Sequence, residues 1–240
     1  MPFNILYMED LKQVAAKAAM DFIKPGNIIG LGAGSTIAHL VNFLKEDVTL
    51  AKHITIVTSS FNTRQLLLEH GFHTKDISEV SRLDIYFDGC DQFDHQLNAL
   101  KSGGGIHTRE KLLAAMAAKF ILVGDGAKYV NKLYTTFPVV IEVIPEAVPF
   151  VQQQLKKIFS LANPVIRMSN KKDGAVITEN GNLLIDIWFS SFPPLDNLNE
   201  RLKQISGILE TSLFYNMAHV AIIAGKKGVE IIRKDPAYLI

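Results

Sequence analysis

One cysteine, Cys90, stands in 240 residues, which excludes an intrachain disulfide and suits a reducing compartment. No apolar run approaches the ~20 residues that span a bilayer, so no membrane segment is expected. The start, MPFNILYMEDLKQ, has neither a basic n-region nor an apolar signal core, and the chain reads as cytoplasmic. An excess of charge is missing too. The formal net charge is +1 and no basic run occurs, so nucleic acid is not an expected partner. A negative ligand must then be met by a few placed groups. No G-x-S-x-G elbow is present for hydrolase chemistry. His70 and His73 lie at i, i+3 without a third ligand, so no metal site is expected. What remains is an ordinary globular composition, 48% hydrophobic and 20% charged, long enough for one large domain or two unequal ones.

Apolar spacing predicts a helix from Glu9 to Ile23, ended by Pro25-Gly26, then a buried strand from Asn27 to Leu31. Helix Ile37–Leu44, strand Ile54–Thr58, helix Asn62–His70, strand Leu83–Phe87, helix Glu110–Lys119 and a strand from Phe120 follow. The strands are apolar throughout rather than alternating, the pattern of a parallel sheet covered on both faces. The character changes near Lys132. Strand Val139–Val143, helix Ala147–Phe159, strands Pro164–Met168, Ala175–Ile177 and Leu183–Trp188, helix Asp196–Ile205 and a strand after Gly207 suggest a split βαβ module. Strands Val220–Ala224 and Val229–Arg233 then return to the first sheet. The expected fold is therefore α/β: a mostly parallel, open, Rossmann-like sheet formed by residues 1–131 and 208–240. A smaller α+β domain of ferredoxin-like type, 132–207, is inserted in it.

Four polar, glycine-bearing loops fall at the carboxyl edge of that sheet, where open parallel sheets bind ligands. GLGAGST places Ala33, Gly34, Ser35 and Thr36 at a helix start, which is either a phosphate site or a helix capped by its own hydroxyls. No lysine precedes Ser35-Thr36 as a P-loop requires, and ITIVTSS supplies no acid for a nucleotide ribose. DGCDQFD puts Asp88 and Asp91 around Gly89 and Cys90, either to hold hydroxyls and move a proton or to cap their own turn. Cys90 itself reads as a small buried residue. KSGGGIHTREK joins Lys101, Ser102, Gly103 and Gly104 to Glu110, an amine suited to an oxyanion and a carboxylate suited to a carbon proton. Glu110 also has a plain structural reason to be there, since the helix dipole favours acids in a first turn. His107 and Arg109 are expected on the loop and surface. GDGAK brings Lys128 as a clamp for phosphate or hydroxyl.

Together, in this order and spacing, the four segments resemble the type A ribose-5-phosphate isomerases across essentially the whole chain. The resemblance implies reversible conversion of ribose 5-phosphate to ribulose 5-phosphate without metal or organic cofactor. It also implies a homodimer or homotetramer whose only other partner is the small sugar phosphate. Carried over by position, Ala33 to Thr36 would bind the phosphorylated substrate and Asp88 to Asp91 would line the sugar. Lys101 to Gly104 and Lys128 would contact it, Glu110 would accept the proton, and Lys12 would lie near the site. Ala33, Cys90, Gln92, Ser102 and Ala127 depart from the family pattern. A non-catalytic sugar-phosphate sensor, a nucleotide-binding module and an acyl or CoA transferase are the competing readings.

Overall fold

Asp10 starts the first helix, α1 (Leu11–Ala19), by accepting a hydrogen bond from the Lys12 amide. Ala15, Ala16 and Ala19 are fully buried on it, and their small size lets the helix lie close against the sheet beneath. In this computed structural model residues 10–235 are described, so Glu9, where this helix was expected to begin, lies outside them. The chain turns at Gly26, whose φ of +88° suits glycine, into β1 (Ile28–Leu31).

There follow α2 (Ser35–Glu46), the short α3 (Val48–Ala51), β2 (Thr55–Thr58), α4 (Phe61–Glu69), β3 (Thr74–Lys75) and β4 (Ile85–Asp88). Next come β5 (Gln92–Phe93), β6 (Ala99–Leu100), α5 (His107–Met116) and β7 (Phe120–Asp125). The chain then forms β8 (Val139–Val143), α6 (Val148–Ile158), β9 (Ala162–Ile166), β10 (Leu183–Phe189), α7 (Leu195–Lys203) and β11 (Ile208–Thr211). It ends with β12 (Leu213–Phe214), β13 (Val220–Gly225) and β14 (Gly228–Arg233).

Seven strands make the larger sheet in the order β14-β13-β7-β4-β1-β2-β3, parallel except for the β13–β14 hairpin. Period two along β7 divides its side chains between two layers. Ile121 and Val123 join the cluster under α1 and α2, while Phe120 and Leu122 join the cluster under α5. The expected doubly covered parallel sheet is thus the observed one.

The smaller sheet has the order β11-β8-β10-β9 and is wholly antiparallel, with α6 and α7 packed on one face around Val139, Ile141, Ile185 and Ile187. The strand after Gly207 pairs with β8, so the smaller sheet runs on to Thr211 and a seam at 207/208 would cut through it. Ala175 to Ile177 forms no strand: it makes only single bridges, Met168 with Ala175 and Ile177 with Leu183. Past Leu183 that edge of β10 is taken by Arg167 and β9, with Ile166 opposite Ile185, so no ladder grows there. Between the two sheets, β5, β6 and β12 make a third that the sequence pattern did not suggest.

Candidate active site

The chain runs outward from β1 through β2 to β3, then returns to place β4 on the other side of β1. That reversal opens a crevice beyond the carboxyl ends of β1 and β4. GLGAGST leaves β1 there and DGCD leaves β4, with GDGAK beside them after β7. A cavity of about 400 Å³ lies at this point, lined by residues from all four loops and by Lys12.

Tyr86 and Asp88, two apart on β4, share one face of the strand. Asp88 is fully buried, yet four donors converge on its carboxylate. The Tyr86 hydroxyl donates at 2.5 Å, the Gly89 amide at 2.8 Å and the Ala33 amide at 3.1 Å, and Lys101 Nζ lies 2.8 Å away. A buried charge is tolerable when so compensated. Gly32 explains itself here, since a Cβ at that position would sit 2.0 Å from the Asp88 carboxylate.

Lys101 Nζ also donates to the Gly89 carbonyl at 2.6 Å and lies 3.4 Å from Glu110 Oε1. Burial opposes its charge, but Asp88 and Glu110 outweigh burial and raise its pKa above the ordinary lysine value. Glu110 is 4% exposed. Burial pushes its carboxyl up to about 8; Lys101 opposes that rise and Asp88 adds to it. A carboxyl so placed holds or releases a proton near neutral pH.

At the other end of the cavity, Gly34 precedes α2 with φ +98° and no side chain caps the helix, so Ser35 and Thr36 are its first residues. The hydroxyls do not cap it, and the helix start is left open as an anion seat with Lys12 and Lys128 on the same cavity wall. Thr63 braces this loop from behind, donating to the Gly32 carbonyl at 2.7 Å.

Known proteins resemble this chain over most of its length. The family model described as Ribose 5-phosphate isomerase A (phosphoriboisomerase A) matches residues 55–228. A ribose-5-phosphate isomerase A of Thermosynechococcus vestitus is 38% identical over 218 residues, 90% of this chain and 92% of the relative. The chain belongs to the ribose 5-phosphate isomerase A family. It is accordingly an isomerase. The solved ribose 5-phosphate isomerase A of Methanocaldococcus jannaschii superposes with TM-score 0.86 at 33% identity, over 93% of this chain and 98% of that one. A D-ribose-5-phosphate isomerase in complex with phospho-erythronic acid gives TM-score 0.86 at 35% identity, covering 93% and 97%. A DeoR C-terminal sensor domain model also matches residues 8–79, a span that ends before Asp88, Lys101 and Glu110.

For this member of the isomerase A family, the cavity wall includes Ala33, Gly34, Ser35, Thr36, Gly89, Cys90, Asp91, Lys101, Gly103, Gly104, Glu110 and Lys128, all anticipated from the motifs. Asp88 and Ser102 do not line it. Asp88 lies beneath the floor, and the Ser102 hydroxyl turns away to donate to the Pro138 carbonyl at 2.5 Å. Ser102 to Gly104 were expected to contact substrate; the Ser102 and Gly103 amides donate to Asp91 Oδ2 at 2.6 and 3.2 Å.

Gln92 is buried away from the cavity, pairing with the Tyr134 backbone at 2.6 and 3.1 Å. Cys90 is half-buried on the cavity wall rather than in the core expected of it, and its partly desolvated setting pushes the thiol up to about 12. His107 is not a surface residue. It begins α5 and is buried, which pushes its ring down to about 4, with Lys111 adding to the effect. Tyr86 and Thr63 went unsuspected. For Tyr86 the signal was available: a hydroxyl in a buried strand, two residues before an aspartate, needs a partner on that face.

Proposed function

We propose that the protein interconverts D-ribose 5-phosphate and D-ribulose 5-phosphate through an enediolate, with Glu110 carrying the carbon proton. The observation behind this is that Glu110, almost fully buried, still reaches the cavity wall beside Lys101. In the open-chain aldose, the Glu110 carboxylate takes the C2 proton. The C2–H electron pair becomes the C1=C2 bond and O1 becomes an oxyanion beside the Lys101 ammonium. A proton passes from O2 to O1, with Asp91 on the cavity wall as the group that relays it. The protonated Glu110 then returns its proton to C1, and O2 closes to the ketone.

Asp88, sealed beneath the floor, serves by holding Lys101 rather than by touching sugar. The phosphate sits at the start of α2 with Lys12 and Lys128. No step in this sequence calls on a metal or an organic cofactor.

The same reading makes the protein a cytoplasmic homo-oligomer, a dimer or tetramer. It consists of a catalytic unit and a smaller one near 132–207 extended by β11. Val165 and Trp188, exposed on the smaller sheet's face away from α6 and α7, support an interface there. No helix among the described residues is long and apolar enough to cross a membrane.

The test is to mix the protein with ribose 5-phosphate and a chelator and to assay for ketose. Steady formation of ribulose 5-phosphate is expected. Saturable binding without ketose would overturn the proposal in favour of a sensor, the reading that the match over residues 8–79 favours.

A further inference from the structure

Two hydrogen bonds cross from the smaller sheet to the glycine loop, and one side chain makes both. Arg167, just beyond β9, donates from Nη2 to the Ser102 carbonyl at 2.7 Å and from Nη1 to the Gly103 carbonyl at 3.2 Å. Asp186 on β10 holds the guanidinium from the far side, at 2.6 Å from Nη2 and at 3.0 and 3.1 Å from Nε. Both side chains are shielded, at 17% and 18% exposed. Arg167 does not line the cavity.

Each gripped carbonyl belongs to a peptide whose N–H lies at its other end. The Ser102–Gly103 peptide ends in the Gly103 N–H, which donates to Asp91. The Gly103–Gly104 peptide ends in the Gly104 N–H, which has no protein acceptor among the described residues, and Gly104 lines the cavity. A cation on a carbonyl oxygen draws electron density out of the amide and makes its N–H a stronger donor. The planar peptide also passes on the orientation fixed at its oxygen.

We propose that Arg167 is a positioning residue for the reaction: it fixes and polarises two peptides of the glycine loop, one securing Asp91 and the other presenting the Gly104 N–H to the enediolate oxygen. A guanidinium suits this because its planar fork reaches two carbonyls and a carboxylate at once, which the point charge of a lysine does not. The inference rests on the isomerisation proposed above, so the wild-type assay separates the two. If wild type makes no ketose, that reading fails. If wild type turns over and the variants below behave like it, only the role of Arg167 fails.

The variants are Arg167→Met, Arg167→Lys and Arg167→Ala, assayed on ribose 5-phosphate. Arg167→Met is expected to lower kcat by about 10- to 100-fold with KM within about threefold, less than the full loss of an oxyanion donor. Arg167→Lys is expected to recover little. Free guanidinium ion at low concentration should restore part of the kcat of Arg167→Ala, where tetramethylammonium should not. A folded Arg167→Met enzyme with wild-type kcat, or one changed in KM alone, would overturn the assignment. If Arg167→Met does not fold, Arg167→Lys carries the same expectation of a kcat loss at constant KM.

Discussion

The two larger sheets meet the same short stretch of chain from opposite sides. From the seven-stranded sheet with its helices and connections come the charged groups on the cavity wall: Lys12, Asp91, Lys101, Glu110, Asp125 and Lys128. From the four-stranded sheet and its loops come groups that grip from behind. Arg167 holds the glycine loop, Glu179 pairs with Arg109 on α5 at 2.6 Å, and Glu142 accepts from Thr108 on the same helix. Glu142 is buried and accepts further from Thr178 at 2.8 Å, Asn180 at 3.0 Å and Asn182 at 2.8 Å. Burial alone would raise its pKa, but these donors outweigh burial and hold the carboxyl below the ordinary value. The larger sheet thus supplies chemistry, because its parallel strands β1, β4 and β7 end side by side at one edge. The antiparallel sheet supplies restraint, because its hairpin can reach over the start of α5.

Glu110→Gln should break that division at its chemical end and show the largest effect. A loss in kcat of roughly a thousandfold is expected from removing the base, with substrate binding largely kept. Only the carboxylate can take a carbon proton and its pKa is raised, so wild-type kcat/KM should rise with pH through about 8. That limb should be missing from the residual activity of the variant. Gly32→Ala should follow, since its Cβ would drive Asp88 from Lys101. Displacement of that order costs about 100-fold in turnover, read by steady-state kinetics.

Lys128→Ala should raise KM for ribose 5-phosphate about tenfold, the worth of one charged hydrogen bond, and spare kcat. Glu142→Gln marks the restraining side and should have the smallest kinetic effect. Thermal or urea unfolding should show a loss of about 1–3 kcal/mol, with kcat/KM within a few fold. Because the folded pKa of Glu142 is depressed, its contribution to stability is present above the unfolded value of 4.5. It should fade as pH falls through the depressed folded value. A Glu142→Gln enzyme that unfolds like wild type but turns over slowly would reverse the comparison.

Much of the parallel sheet was legible because short, unbroken apolar runs report burial on both faces. The four loops were legible because glycine beside charged residues is costly unless a turn or a close approach needs it. The three-stranded sheet was not, because β5, β6 and β12 are two residues each and carry no period. Arg167 was not, because its partners lie 64 and 65 residues away and nothing local marks an arginine that binds carbonyls. The placing of Gln92 was not legible for a related reason. Its neighbour Asp91 faces the cavity, and alternation along β5 sends Gln92 the other way, which becomes visible only once that strand is known.

The most direct test is a crystal structure of this protein with phospho-erythronic acid, whose planar carboxylate imitates the enediolate. The phosphate is expected at the Ser35–Thr36 helix start near Lys128, and the ligand carboxylate between Lys101 and Glu110. The Glu110 oxygen should lie about 3–3.5 Å from the carboxylate carbon, a reacting distance. A ligand bound the other way round, or one whose carboxylate stays out of reach of Glu110, would contradict the account.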